Sequence, residues 1–513
     1  MKLTKASFSG VIKAFGKTGL FVVVNSAPSI FDDSKPRCNK NAHHITKMPP
    51  FLGNEIWDLV FSNFEDTIDV DDGSDHGLYP FPKDTHIPTL KSLCLVSHRF
   101  YKLARRNLYH TISSGTLCGQ QNNTKMCLLA RTLLLNSELR SEIRAIDLSS
   151  SGNWKTPLVN SEFWPSSIER VEPTHLRDLL KEDIERYSAT EAGTCLLLTL
   201  MPNLRMVALT DPQTNSKALS WILGGKMRTP QPGTADRPEL VANYLGQLEE
   251  VHWSPMQTRL EDSDTCSTEY LLLLPNIKRL FLSPFEPTLN ISHPVVPDFQ
   301  SGLQSLTIDG CVIRPAFLQY TLSRCKALQY LDLDLTDCYD VKAVDLKVNL
   351  HDFGSVLREF GQDLVSLRLR FYDCEEYAQG KIGSLKGLKS LRHLTVPIFV
   401  LAGACEDASP LPEVLPGSVE MLEMDFVDEY GLANSDTLVT KSVADDDQVI
   451  RLLNNNQLPK LQEVVYGCYM DGEDDRLTNF TKVEGWSVKN EVQLRRSFAS
   501  QPYSRRLELV RGE

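Results

Sequence analysis

The 513-residue chain has 11 histidines, 12 cysteines and 66 acidic residues, enough for many kinds of catalysis or metal binding, but their spacing argues against most of them. The cysteines are scattered from Cys38 to Cys468 without a C-x-x-C pair. The local cluster of thiolates that a structural zinc needs is therefore absent, and the thiols read as reduced and mostly buried. There is no G-x-S-x-G elbow, no H-E-x-x-H and no H-x-E with a partner C-x-x-C. His252, His351 and His393 read as surface or core-edge side chains, and His43 and His44 fall in a polar N-terminal stretch. The segment GVIKAFGKTG looks like a phosphate-cradling loop, but five residues lie between Gly10 and Gly16 where four are required, and no strand pattern precedes Gly10. The sequence predicts no catalytic residue, no cofactor and no metal site.

Charged and aromatic residues at alternating positions of short apolar segments are better placed to do chemistry, and that chemistry is recognition. They are Arg279 and Phe281, Thr307 and Asp309, Tyr330, Asp332 and Asp334, Arg368 and Arg370, His393 and Thr395, and Glu423 and Asp425. If those segments are strands, these side chains share one face, because successive residues point to opposite sides. The face would carry acids at Asp332 and Asp334, a basic pair at Arg368 and Arg370, and acids again at Glu423 and Asp425. Such an order suits a protein partner of complementary charge order. The arginine pair, near a tyrosine, is suited to grip a carboxylate or phosphate bidentately. The plainer reading of the same residues is a solvated strand surface.

These positions depend on a recurrent apolar-x-x-apolar-x-apolar motif. It occurs as Ile143/Ile146/Leu148, Leu204/Val207/Leu209, Leu248/Val251/Trp253, Ile277/Leu280/Leu282, Leu303/Leu306/Ile308 and Leu328/Leu331/Leu333. It continues as Leu364/Leu367/Leu369, Leu391/Leu394/Val396, Val419/Leu422/Met424 and Leu461/Val464/Tyr466. From Ile277 the motifs start at 277, 303, 328, 364, 391 and 419, mostly within the period of a leucine-rich repeat. Alternating apolar residues make one buried strand face. Segments such as Pro315 to Arg324 and His351 to Gly361 have helical spacing and would form the other layer. The fold class expected is α/β: an irregular solenoid over 143–490 with a curved parallel sheet and helices on its convex side. A doubly wound α/β domain would also alternate strand and helix.

The stretch 48–112 has a different pattern. Ile56, Leu59, Val60, Asn63 and Phe64 fall at helical spacing behind Asn54, a good N-cap. Leu90, Leu93, Val96 and Phe100, then Leu103, Ala104, Leu108 and Tyr109, repeat it. This stretch resembles the F-box, whose pattern is Leu-Pro-x-Glu-Ile, an apolar helix, then Leu-x-x-Leu-x-x-Val-Ser-(Lys/Arg)-x-(Phe/Trp)-x-x-Leu-(Ala/Ser) and often Leu-Tyr. The matching residues are Leu52, Glu55, Ile56, Leu59, Val60 and Phe64, then Leu90, Leu93, Val96, Ser97, Arg99, Phe100, Leu103, Ala104, Leu108 and Tyr109. Gly53 stands where proline is usual, and an acidic insertion, 65–87, lengthens the connection. The irregular repeats that follow resemble those of fungal F-box proteins.

The resemblance implies a substrate-recognition subunit of an SCF-type cullin–RING ubiquitin ligase. It implies that Leu52, Ile56, Leu59, Val60, Leu93, Val96 and Phe100 divide between the F-box core and the surface that binds a Skp-family adaptor, and through it a cullin. The face residues Arg279, Phe281, Tyr330, Asp332, Asp334, Arg368, Arg370, His393, Glu423 and Asp425 would bind a protein substrate. The alternatives are a leucine-rich-repeat scaffold whose helices merely cap the solenoid, and, less favoured, an α/β enzyme. A net charge of −12 disfavours nucleic acid as a partner, and no apolar run reaches the length of a membrane helix. The expected compartment is cytoplasmic or nuclear. Residues 1–47 and 491–513 are expected as tails, and 113–142 as a linker containing a helix.

Overall fold

A computed structural model describes residues 87–113, 122–148, 163–171, 174–186, 189–210, 216–222, 244–254, 271–272, 274–283, 299–309, 313, 315–335, 348–370, 378–403, 409–427, 447–455, 457–469, 493–497 and 504–510. The chain divides into two compact units, with Thr111 in the first and everything from Ile112 onward in the second. The first helix expected of the F-box, the acidic insertion and the N-terminal tail lie outside the described residues.

In the first unit, the helices Ile87–Val96 and His98–His110 are separated by Ser97 alone. Ser97 adopts extended backbone and its hydroxyl accepts the Phe100 N–H at 3.2 Å, so the serine of the Val-Ser-Arg-x-Phe segment is the N-cap of the second helix. Leu90, Phe100 and Ala104 are buried together, with Cys94 and Leu108 packed against them.

The second unit is α/β, built on an open 13-stranded sheet. Eleven of the strands form a parallel run: β1 (Thr111–Ile112), β2 (Ala145–Asp147), β3 (Met206–Thr210), β4 (Glu250–Ser254), β5 (Arg279–Leu282), β6 (Ser305–Ile308), β7 (Tyr330–Asp334), β9 (Ser366–Arg370), β11 (His393–Thr395), β12 (Met421–Val427) and β13 (Glu463–Tyr469). The short strands β8 (Val348–Asn349) and β10 (Ala378–Gln379) pair apart from it. Along the parallel run, each strand lies beside the one before it in sequence; the order never doubles back as in a doubly wound sheet.

One backbone device fixes the register. The carbonyl of Arg144 accepts both the Arg205 and Met206 amides, and that of Arg205 accepts Glu249 and Glu250. The same pair of bonds repeats from Glu249, Lys278, Gln304, Gln329, Val365, Arg392 and Glu420, each to the start of the next strand. The register that results sets Val207, Val251, Leu280, Leu306, Leu331, Leu367, Leu394, Leu422 and Val464 side by side, all of them 2 % exposed or less. Ahead of the strands, the first apolar residue of the motif closes a tight turn. Leu204, Leu248, Ile277, Leu328, Leu364, Leu391, Val419 and Leu461 each donate their N–H to the carbonyl three residues earlier.

Helices cover the apolar face. Pro315–Arg324 buries Phe317, Leu318 and Leu322; Leu350–Phe360 buries Leu350, Phe353 and Leu357 and is capped by Asn349, whose side chain accepts the amides of His351 and Asp352. Gly354 lies so close to the Ile382 carbonyl that a Cβ would overlap it, and Arg358 Nη1 donates to that same carbonyl at 2.8 Å. Thr174–Arg186 buries Leu176, Leu180 and the carboxylate of Asp183. The last accepts Ser216 Oγ at 2.7 Å and the Ala218 amide at 3.0 Å.

The chain end departs from expectation. Residues 491–513 were expected as a tail, but they carry β14 (Gln493–Ser497) and β15 (Ser504–Val510), which pair antiparallel, and β15 pairs antiparallel with β13. The basic residues Arg495, Arg496, Arg505 and Arg506 made the segment read as solvated, whereas β-sheet pairing satisfies the backbone whatever the side chains carry.

Candidate functional site: the polar face of the sheet

The register arranges the residues between the apolar positions in three lateral rows. The first contains Glu250, Arg279, Ser305, Tyr330, Ser366, His393 and Met421. The second contains His252, Phe281, Thr307, Asp332, Arg368, Thr395 and Glu423. The third has Asp334 beside Arg370; on its other side Asp309, just past the end of β6, interacts with Asp334 and accepts Ser283 Oγ. The predicted face residues are thus on one surface of one sheet, where their side chains form two groups.

The first group spans β4 and β5. Glu250 is 5 % exposed; its carboxylate accepts His252 Nε2 at 2.7 Å and pairs with the Arg279 guanidinium. His252 stacks on Phe281, with ring centroids 5.3 Å apart. Burial raises the Glu250 pKa, but the hydrogen bond and charge of His252, with the charge of Arg279, outweigh it and hold the carboxyl below its ordinary range.

The second group spans β6 to β12. Arg368 reaches Asp332 on one side and Glu423 on the other, each at 3.9 Å. Arg370 lies 3.3 Å from Asp332 and 3.6 Å from Asp334. Thr395 Oγ1 donates to Glu423 at 3.0 Å, and Ser283 Oγ donates to Asp309 at 2.9 Å. Burial pushes the Asp334 carboxyl up to about 7. Arg370 opposes that rise, while the charge of Asp309, its hydrogen bond and the charge of Asp332 add to it.

These contacts change what the arginines can do. Arg368 and Arg370, read from sequence as a grip for an incoming carboxylate or phosphate, already bridge the chain's own acids. The separate acidic and basic patches expected along the face are one cross-strand network. His393 occupies the first row, one row from Arg368, and Asp425 is at a β12 position opposite Gly467. Glu250 and His252 were missed as face residues although the Leu248/Val251/Trp253 motif put them at alternating positions; the signal was present one strand before Arg279.

Of the residues assigned to adaptor binding, Leu52, Ile56, Leu59 and Val60 lie outside the described residues, and Leu93 and Val96 belong to the helix Ile87–Val96. Phe100 is 6 % exposed, in the unit's own core. Among the described residues there, the large apolar side chains that face solvent are Leu95 and Tyr101, which the motif did not single out.

Among the described residues, no group of three or more histidine, cysteine, aspartate or glutamate side chains could hold a metal ion, and no helix is long and apolar enough to cross a membrane. No protein-family model matches the chain, and no curated protein matches it.

Proposed function

We propose that the chain is the substrate-recognition subunit of an SCF-type ubiquitin ligase. In this reading residues 48–112 are an F-box that docks on a Skp-family adaptor and, through it, a cullin. The sheet of the second unit is an irregular leucine-rich-repeat solenoid whose polar face holds a protein substrate. The chain itself makes and breaks no bonds; it raises the effective concentration of a substrate lysine near the ubiquitin-conjugating machinery. The observation that carries the reading is one chain combining a Ser97-capped helix pair at the Val-Ser-Arg-x-Phe segment with a parallel sheet whose strands succeed one another in sequence order. That order is what stacked repeats require, since each buries its apolar face only against its neighbours.

The test is affinity capture of the full chain from cells after proteasome inhibition, where adaptor and cullin are expected to co-purify. Replacing Ile56 and Leu59 by charged residues should abolish that capture while the second unit stays folded. Undiminished adaptor binding by a folded double variant would defeat the F-box assignment and leave the scaffold reading, in which the helices only cap the solenoid.

A further inference from the structure

We infer that the β6–β12 part of the polar face recognises a basic peptide segment of its partner, which inserts a lysine side chain against Asp334 and Asp309. The inference rests on the reading of this face as the substrate surface, and specifies its chemistry.

Charge balance comes first. Among the described residues, the network holds four carboxyl groups, Asp309, Asp332, Asp334 and Glu423, against two guanidinium groups, Arg368 and Arg370. Both guanidinium groups already pair with the chain's own acids, Arg368 with Asp332 and Glu423 and Arg370 with Asp332 and Asp334, so an incoming anion would have to compete with a carboxylate at each. An incoming cation meets an excess of acid. The second observation is Asp334 itself. It is 4 % exposed, it shares its face with Tyr330 and Asp332, and among the described residues its Oδ1 has no hydrogen-bond donor. A buried carboxylate oxygen without a donor is a costly feature of a fold unless something supplies the donor.

The occupant follows from shape. Tyr330 is 48 % exposed, the Asp332 side chain 25 % and the Asp334 side chain 6 %, so accessibility falls along the strand toward Asp334. A lysine has a thin apolar stem and a compact charge at its tip, and its stem can lie along Tyr330 while the ammonium reaches Asp334. The planar fork of arginine is wider and is better met by an open bidentate carboxylate. Among the described residues the carboxylates are strung along neighbouring strands and do not converge as metal ligands.

The groups acting on Asp334 are Asp309, which Ser283 hydrogen-bonds, on one side, Arg370 on the other, and Asp332, which pairs with both arginines, along its own strand. Because the Asp334 carboxyl holds its proton up to about 7, docking an ammonium against it must expel that proton below neutrality. Binding should therefore be about tenfold weaker at about pH 6 than at about pH 8.

The experiment is selection of a displayed random-peptide library on the full chain at about pH 8. Enriched peptides should carry a lysine at a fixed distance from an apolar or aromatic residue. A synthetic copy should lose about tenfold in affinity at about pH 6, and the loss should vanish on D334N, which should also bind it at least tenfold more weakly at the higher pH. Exchanging the peptide's lysine for arginine should weaken it. D334N nearly preserves side-chain size, and a thermal melt checks that it is folded; D309N provides an independent variant. Enrichment of acidic or phosphorylated peptides, or of basic ones that bind D334N and D309N as tightly as the parent, would overturn the inference. Adaptor capture would be untouched by that result, so the two readings fail separately.

Discussion

Two groups of charges occupy the same face of the same sheet, and the fold treats them in opposite ways. At β4–β5 one buried carboxylate, Glu250, meets a histidine and an arginine, and its pKa is held down. At β6–β12 the acids outnumber the arginines, and Asp334 is pushed up to about 7. Burial acts upward on both carboxyl groups; the surrounding charges decide the sign of the outcome. A fully partnered carboxylate beside Arg279 fastens two strands together. A crowded carboxyl set has surplus affinity for a cation, and its spare capacity marks it as the better candidate for recognition.

The comparison can be broken from underneath. Gly354→Ala should have the largest effect, because the new methyl meets the backbone carbonyl of Ile382, which cannot turn aside as a side chain would. A loss of about 3 kcal/mol is expected, at the upper end for overpacking. It should disturb the segment leading into β11, and so the acid-rich group, more than β4–β5. Hydrogen exchange resolved by segment would measure it, and uniform loosening of both groups would contradict the assignment of damage.

Glu250→Gln should come next, at about 2 kcal/mol near neutrality, since it takes the carboxylate from both His252 and Arg279. The sign of the pH dependence follows from the lowered pKa. The Glu250 contribution is complete above its unfolded pKa of 4.5 and is lost as pH falls through the lower folded value. Denaturant melts of wild type and variant should therefore converge in acid.

Asp334→Asn should act in the opposite direction. The raised pKa means that Asp334 costs the fold nothing below its unfolded value of 3.8, a growing amount as pH climbs toward 7, and a constant amount above. The variant should be more stable than wild type by about 1–3 kcal/mol at alkaline pH, with the gain gone in acid. A variant that is destabilised at alkaline pH would mean that Asp334 is needed by Arg370 more than it is strained by Asp309. Arg279→Met is the smallest, about 0–1 kcal/mol, because the arginine side chain is 54 % exposed and solvent screens its pairing.

The strands were legible because each carries its own periodic signal, and Leu306, Leu331 and Leu367 had to share a face once they were strands at all. That step also placed Asp332, Asp334, Arg368 and Arg370 on the opposite face. What the arginines touch was not legible. Contact between Arg368 and Glu423 depends on β11 lying between their strands in the right register, and that register is set by backbone carbonyls that the side-chain pattern does not encode. The structural role of Asp183 was hidden for a similar reason: its partners Ser216 and Ala218 lie more than thirty residues away. The strands at 493–510 were misread because their charges outweighed an alternation with few apolar residues, and they answer to β13 and not to a core of their own.

The doubled amide contact at each strand entrance has a consequence for how the molecule tolerates change. Its geometry is the same whether the intervening chain is as short as that from Gln304 to Gln329 or as long as that from Arg144 to Arg205. The connection lengths are thereby uncoupled from the register, and the cost of closing a longer connection grows only slowly with length. Segments could be lengthened, exchanged or replaced by whole inserted modules between strands while the polar rows stay in line, so the sheet can serve as a ruler on which new loops are tried without moving the marks.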